Sequence, residues 1–85
     1  RSLDARAEET YGRLLTYDQQ HGTELAPTLT AYLHSGSLIA ATSELLGVHR
    51  HTVRTRLARI AEVCEVDLSS PVVCAELLLV VITRG

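Results

Sequence analysis

An all-α fold, a five-helix bundle, follows from three features of the sequence. Apolar residues recur at steps of three and four; Gly, Ser and Pro divide the chain into helical lengths; and no period-2 pattern competes except over Val72 to Ile82. There the β-branched residues suit strand or helix, and the helical context favours helix. At 85 residues the chain has room for one domain with one small core. Three Tyr with no Phe and no Trp make that core aliphatic.

Leu3, Ala7, Tyr11, Leu14 and Leu15 mark one face of a first helix over about residues 3–20, and Gly22 supplies a left-handed end. Interior Gly12 costs this helix about 1 kcal/mol relative to Ala, so packing must hold it. Thr23 is the expected N-cap of a second helix with Leu25, Leu29, Tyr32 and Leu33 on one side, closing near Gly36. Pro27 then takes the fourth helical position, where the first intrahelical donor belongs, which predicts a distorted first turn or a helix that begins at Pro27. Ser37 is the expected cap of a short third helix, Leu38 to Leu46, burying Leu38, Thr42, Leu45 and Leu46. Gly47 ends it, and Val48 plugs inward. A fourth helix runs from His49 or Arg50 to Cys64, with Val53, Leu57, Ile60 and Cys64 along its apolar side. Asp67, Ser69 and Ser70 form a polar break, and Pro71 suits the first position of a fifth helix capped by Ser70.

The net charge of −2 argues against a non-specific polyanion binder, but the average hides a segregation. Residues 1–35, 36–61 and 62–85 carry −2, +3 and −3. Between Gly47 and Ala61 stand Arg50, Arg54, Arg56 and Arg59 with no acid among them, and His49 and His51 lie beside them.

Two helices of unequal length joined by a tight Gly turn, the second rich in Arg, have the sequence form of a helix-turn-helix, here about residues 37–46 and 49–64. Four positions before Gly47 is the small Ser43, where the helices must approach closely; six after it is Val53, which must fill their angle. At 100° per residue from Val53, His51, Thr55 and Ala58 lie opposite the core, with Arg54 and Arg59 on the shoulders and Arg50 in the leading turn. A helix entering the major groove of double-stranded DNA presents its first turns to base edges, where Arg pairs with guanine O6 and N7. Arg50 and Arg54 are therefore the expected base readers, with His51 and Thr55 secondary. His49 belongs to the same leading turn. Thr52, Arg56 and Arg59 suit phosphates, as do the free amides near Ser37. Many Arg-rich helices are no more than solvated faces, but the turn spacing and the acid-free window together favour the DNA-binding reading.

Tyr17-Asp18, His21-Gly22-Thr23-Glu24-Leu25, Thr28-Leu29, Ala31-Tyr32-Leu33, Gly36-Ser37, Leu45-Leu46-Gly47-Val48-His49-Arg50, Thr52-Val53-Arg54, Arg56-Leu57 and Arg59-Ile60 stand in an order that resembles the C-terminal DNA-binding domain of PucR/CdaR-type bacterial transcription regulators. The resemblance covers about residues 14–77 and is most specific from His49 to Ile60. It implies a C-terminal output domain preceded, in the same full-length chain, by sensor or GGDEF-like regions. The chain departs from the family's usual residues at His51, commonly Asn, at Thr55, often Tyr, and at Glu65, usually Gly.

Other chemistries find less support. His49 and His51 point about 200° apart on a helix and cannot share one metal ion, and no catalytic constellation or cofactor motif stands out, so no enzyme, metal or cofactor is expected. Cys64 and Cys74 read as small buried thiols in a reducing, cytoplasmic compartment. The longest apolar stretch, Val72 to Ile82, is too short to span a bilayer, so no membrane partner is expected; without an initiator Met or a leader pattern, the chain reads as an excised piece. That last helix is apolar almost all round, as suits a central core helix or a homodimer interface. A dimer would read paired half-sites about one turn apart. The alternative reading is a protein-interaction or dimerisation module on the same scaffold that does not bind DNA, favoured by the negative net charge.

Overall fold

The computed structural model describes residues 3–84, with side chains from Ala5 onward, so the part expected of the Leu3 side chain lies outside the described residues. Five helices follow in order: α1 (Leu3–His21), α2 (Leu25–His34), α3 (Ile39–Leu46), α4 (Arg50–Cys64) and α5 (Pro71–Arg84). No strand occurs among the described residues. The Cα radius of gyration is 11.9 Å, about what a close-packed chain of this length should have.

α2 is the hub. It packs against each of the other four helices, whereas α3 rests only on α2 and α4, and α5 only on α1 and α2. Six of its ten residues are buried: Leu25, Ala26, Thr28, Leu29, Ala31 and Leu33. Around it the core gathers Ala7 and Leu14 of α1, Ile60 and Cys64 of α4, and Leu77, Val80 and Val81 of α5. Burial of each large aliphatic side chain contributes about 1.5–3 kcal/mol. No buried side-chain nitrogen or oxygen among the described residues lacks a hydrogen-bond partner. The Cys64 thiol donates to the Thr10 carbonyl at 3.6 Å. Burial pushes its pKa up, against a smaller opposing pull from Arg13.

The start of α2 differs from the expected Thr23 cap. Glu24 occupies the capping position without a side-chain bond, and the cap comes instead from α1. The Asp18 carboxylate accepts from the amides of Leu25 at 2.8 Å and Ala26 at 2.7 Å, and from the Thr23 hydroxyl. A carboxylate at this end also opposes the positive pole of the helix. Because α2 begins at Leu25, Pro27 stands third, and the first intrahelical donor is the amide of Thr28, bonded to the Glu24 carbonyl at 3.2 Å. The missing N–H of Pro27 therefore interrupts nothing.

Ser37 does not cap α3. Its φ of 63° is left-handed, whereas an N-cap is extended, and its amide closes the end of α2 by bonding the Tyr32 carbonyl at 2.9 Å while Gly36 bonds Leu33. This is the Schellman arrangement, and it commits Ser37 to the preceding helix. Leu38 takes the extended capping position and has no side-chain oxygen to offer.

The buried face of α3 is also rotated from the expected one. Thr42 and Ser43 are buried, while Leu38 and Leu45 are 61% and 64% exposed. The hydroxyl of Thr42 donates to the Leu38 carbonyl at 2.7 Å and that of Ser43 to Ala40 at 2.9 Å. Small side chains that satisfy themselves on their own backbone let α4 come close. Gly47 ends α3 at φ 70°, the conformation for which glycine carries no steric penalty. Val48, which follows, is half-buried.

α4 follows the expected register, with Val53, Ile60 and Cys64 buried and Leu57 half-buried. It ends at Glu65, a non-glycine residue at φ 55°. In the polar break, the Asp67 carboxylate accepts from the Ser69 hydroxyl at 2.6 Å and its amide at 3.0 Å, bonds that lower its pKa. The Ser70 hydroxyl accepts from the Val73 amide at 3.3 Å, as expected of a cap before Pro71.

α5 is not a central helix. Leu77, Val80 and Val81 face the core, whereas Val72, Leu79 and Ile82 are each more than half exposed on the opposite side. Among the described residues no helix is long and apolar enough to cross a membrane.

Candidate nucleic-acid interface

The outer surface of α4 is set by its first turn. His49 adopts the extended capping conformation, and its Nδ1 accepts from the His51 amide at 3.0 Å. A nitrogen that accepts carries no proton, so the neutral ring holds its hydrogen on Nε2 as a donor. Helical phase from buried Val53 then places the rest. His51, Thr55 and Ala58 are exposed on the side opposite the core; Arg50 and Arg54 are exposed on one flank, and Thr52 is half-buried on the other. Arg50 and Arg54 make no salt bridge among the described residues, so both guanidinium groups can turn toward a ligand.

The other two arginines are braced. Arg56 is half-buried, and its Nη1 donates to the Thr28 hydroxyl of α2 at 3.1 Å, so it reaches sideways. Arg59 donates from Nη1 to the Tyr17 hydroxyl of α1 at 2.9 Å, and its Nε lies 3.6 Å from a carboxylate oxygen of Glu62. The Tyr17 bond chiefly, with the Glu62 carboxylate adding to it, pushes the Arg59 pKa further up. Glu62 itself falls 180° from Val53, in the middle of the outward face, one turn beyond Ala58. The acid-free face therefore occupies the first two and a half turns of α4.

Ser37 sits apart from this helix, half-buried in the turn before α3, and the start of α3 carries no side-chain cap, so its first amides remain open. Residue types and spacing gave no warning that Tyr17, Asp18 and Thr28 brace or cap neighbouring helices, because their partners stand 7 to 42 positions away. Among the described residues no group of three or more His, Cys, Asp or Glu is arranged to hold a metal ion.

Comparison with known proteins agrees with this geometry. The PucR C-terminal helix-turn-helix domain family matches residues 25–82, from the start of α2 to nearly the end of α5. Over 58 residues the chain is 33% identical to the DNA-binding transcriptional activator AdeR of Bacillus subtilis (strain 168), a match that covers 68% of this chain and 14% of that protein's length. No solved structure matches the chain. A matched segment that contains the glycine corner, the close approach at Ser43 and the whole of α4 carries the defining parts of the motif, and the chain belongs to the PucR C-terminal helix-turn-helix domain family.

Proposed function

We propose that this domain binds double-stranded DNA in a sequence-specific way as the output end of a bacterial transcription regulator, with α4 lying in the major groove. The observation that carries the reading is the outward face of α4, where two flanking arginines without salt-bridge partners among the described residues stand beside His51, Thr55 and Ala58 and no acid intervenes before Glu62. Arg50 and Arg54 read base edges, with His51 and Thr55 adding contacts at the groove floor. His49 offers its Nε2 hydrogen at the entry. Thr52, Arg56 and Arg59 meet phosphates, as do the open amides that follow Ser37. The net charge of −2 does not oppose this reading, because the first two and a half turns of α4 carry no acid.

The domain works in the cytoplasm, joined to sensor domains upstream in the same full-length chain. The short share of the relative's length that the match covers supports that arrangement. Two copies associate through the outer face of α5, where Val72, Leu79 and Ile82 form an exposed apolar stripe at helical spacing.

The test is a titration of wild type and Arg50→Ala against a selected duplex and a scrambled one. Arg50→Ala should cost about 1–3 kcal/mol on the selected duplex and much less on the scrambled one. Equal losses on both would remove its base-reading role. Affinity should also fall steeply between about 50 and 200 mM salt as phosphate contacts release counterions. A module that recognises only proteins through apolar contacts would keep its affinity.

A further inference from the structure

α1 lies outside the residues matched by the family, yet its last turn touches α4. The Tyr17 hydroxyl accepts from Arg59 Nη1 across 42 positions of sequence, at 2.9 Å. Its ring is itself held on two sides. It packs against the buried core, and its other surface stacks on His21, with ring centroids 4.0 Å apart and planes 18° from parallel. His21 is anchored in turn by Nδ1, 3.0 Å from the Tyr17 carbonyl. That carbonyl can only accept, so Nδ1 carries the hydrogen.

This arrangement acts on the side chain that most needs it. A free arginine populates many rotamers, and a phosphate contact must freeze them. Glu62, at 3.6 Å, is too far for a well-formed hydrogen bond and is 78% exposed, so it is a weak anchor. Tyr17 is the firm one. By helical phase Arg59 leaves α4 about 120° from the core direction, at the edge of the groove-facing surface. One of its donors is fixed on Tyr17 and Nε lies beside Glu62, while the side chain is 55% exposed on the flank where the sugar-phosphate backbone would run.

We propose that Tyr17 is a positioning residue of the DNA-binding surface: from α1 it holds the Arg59 guanidinium on the shoulder of α4, ready for a backbone phosphate beside the major groove. The inference rests on the DNA-binding reading above and extends the interface to a helix that the helix-turn-helix does not include. A phosphate contact carries no base information, so Tyr17 acts equally on all sequences.

Tyr17→Phe keeps the ring, its core packing and its stack on His21, and removes only the hydroxyl. Wild type, Tyr17→Phe, Arg59→Ala and the double variant are titrated against a selected and a scrambled duplex, at a temperature where melting curves show all four folded. Tyr17→Phe should weaken binding to both duplexes alike, about three- to tenfold. Arg59→Ala should weaken it further and lower the salt slope by about one phosphate contact. In the Arg59→Ala background, Tyr17→Phe should cost less than about twofold, because a positioning residue has nothing left to position. Unchanged affinity for Tyr17→Phe, or the same loss with and without Arg59, would overturn the proposal. Wild type that binds neither duplex in a salt-dependent way would overturn the DNA-binding reading along with it, whereas wild type that binds while Tyr17→Phe matches it removes only Tyr17.

Discussion

Glu62 occupies the middle of the outward face of α4, 78% exposed, with its carboxylate beside Arg59. A negative charge here repels the DNA backbone and competes with it for the guanidinium. Glu62→Gln preserves size and removes the charge, so it should strengthen binding to any duplex about two- to fivefold at low salt. The gain should shrink as screening increases. Titrations at about 50 and 200 mM salt check this; an unchanged affinity at low salt would place the acid outside the reach of DNA. At this scale the sequence was informative wherever a residue acts through its own helix. Val53 fixed the phase of α4, and Arg50, His51, Arg54 and Thr55 stand on the surface that phase assigns. Arg56 and Arg59 share the same helix, but each is bonded to a side chain of another element, Thr28 and Tyr17. Spacing along one helix carries no trace of such partners.

Among the elements, α1, α3 and α4 are each followed directly by a left-handed residue, and α2 has one a position further on, after Ser35. Three of these residues are Gly22, Gly36 and Gly47; the fourth is Glu65, at φ 55°. A side chain at a left-handed position costs about 1–2 kcal/mol, part of which glycine would return through the greater freedom of its unfolded chain. Glu65→Gly should therefore stabilise the domain by about 0.5–1 kcal/mol and raise its melting temperature by several degrees, measured by thermal denaturation, with DNA affinity unchanged. A lower melting temperature would show that the Glu65 side chain does more for the fold than its backbone costs. The ends of α1, α2 and α3 were legible because glycine announces them. The starts were less so. Thr23 and Ser37 are good local caps by type, but α2 takes its cap from Asp18, and Ser37 is already engaged in closing α2. The face of α3 was misplaced for a related reason. Counting apolar residues favours burying Leu38 and Leu45, whereas close approach to α4 favours Thr42 and Ser43, whose hydroxyls are satisfied by their own helix.

At the scale of the whole molecule, the apolar circumference of α5 divides between the core and the outside. One side packs on α1 and α2; the other leaves Val72, Leu79 and Ile82 exposed. Leu79→Glu puts a charge in the centre of this stripe without touching the core. If two copies associate here, wild type should show a concentration-dependent dimer mass by sedimentation or light scattering, and Leu79→Glu should be a monomer with the same melting behaviour at low concentration. A wild-type monomer at all accessible concentrations would remove the interface from this domain. The five-helix architecture was readable from periodicity and punctuation, but the choice of central helix was not, because α5 is the more continuously apolar and α2 the more fully enclosed.

The tie between Asp18 and the first amides of α2 bears on where this unit can be divided. The segment matched by the family starts at Leu25, whose amide is one of the two that the carboxylate holds. A boundary drawn there would strip the central rod of its clasp and take Ala7 and Leu14 out of the core they share with α2 and α4. The segment by which the family is known is thus narrower than the clasped bundle, and the leading helix is a foundation of the module rather than a lead-in to it.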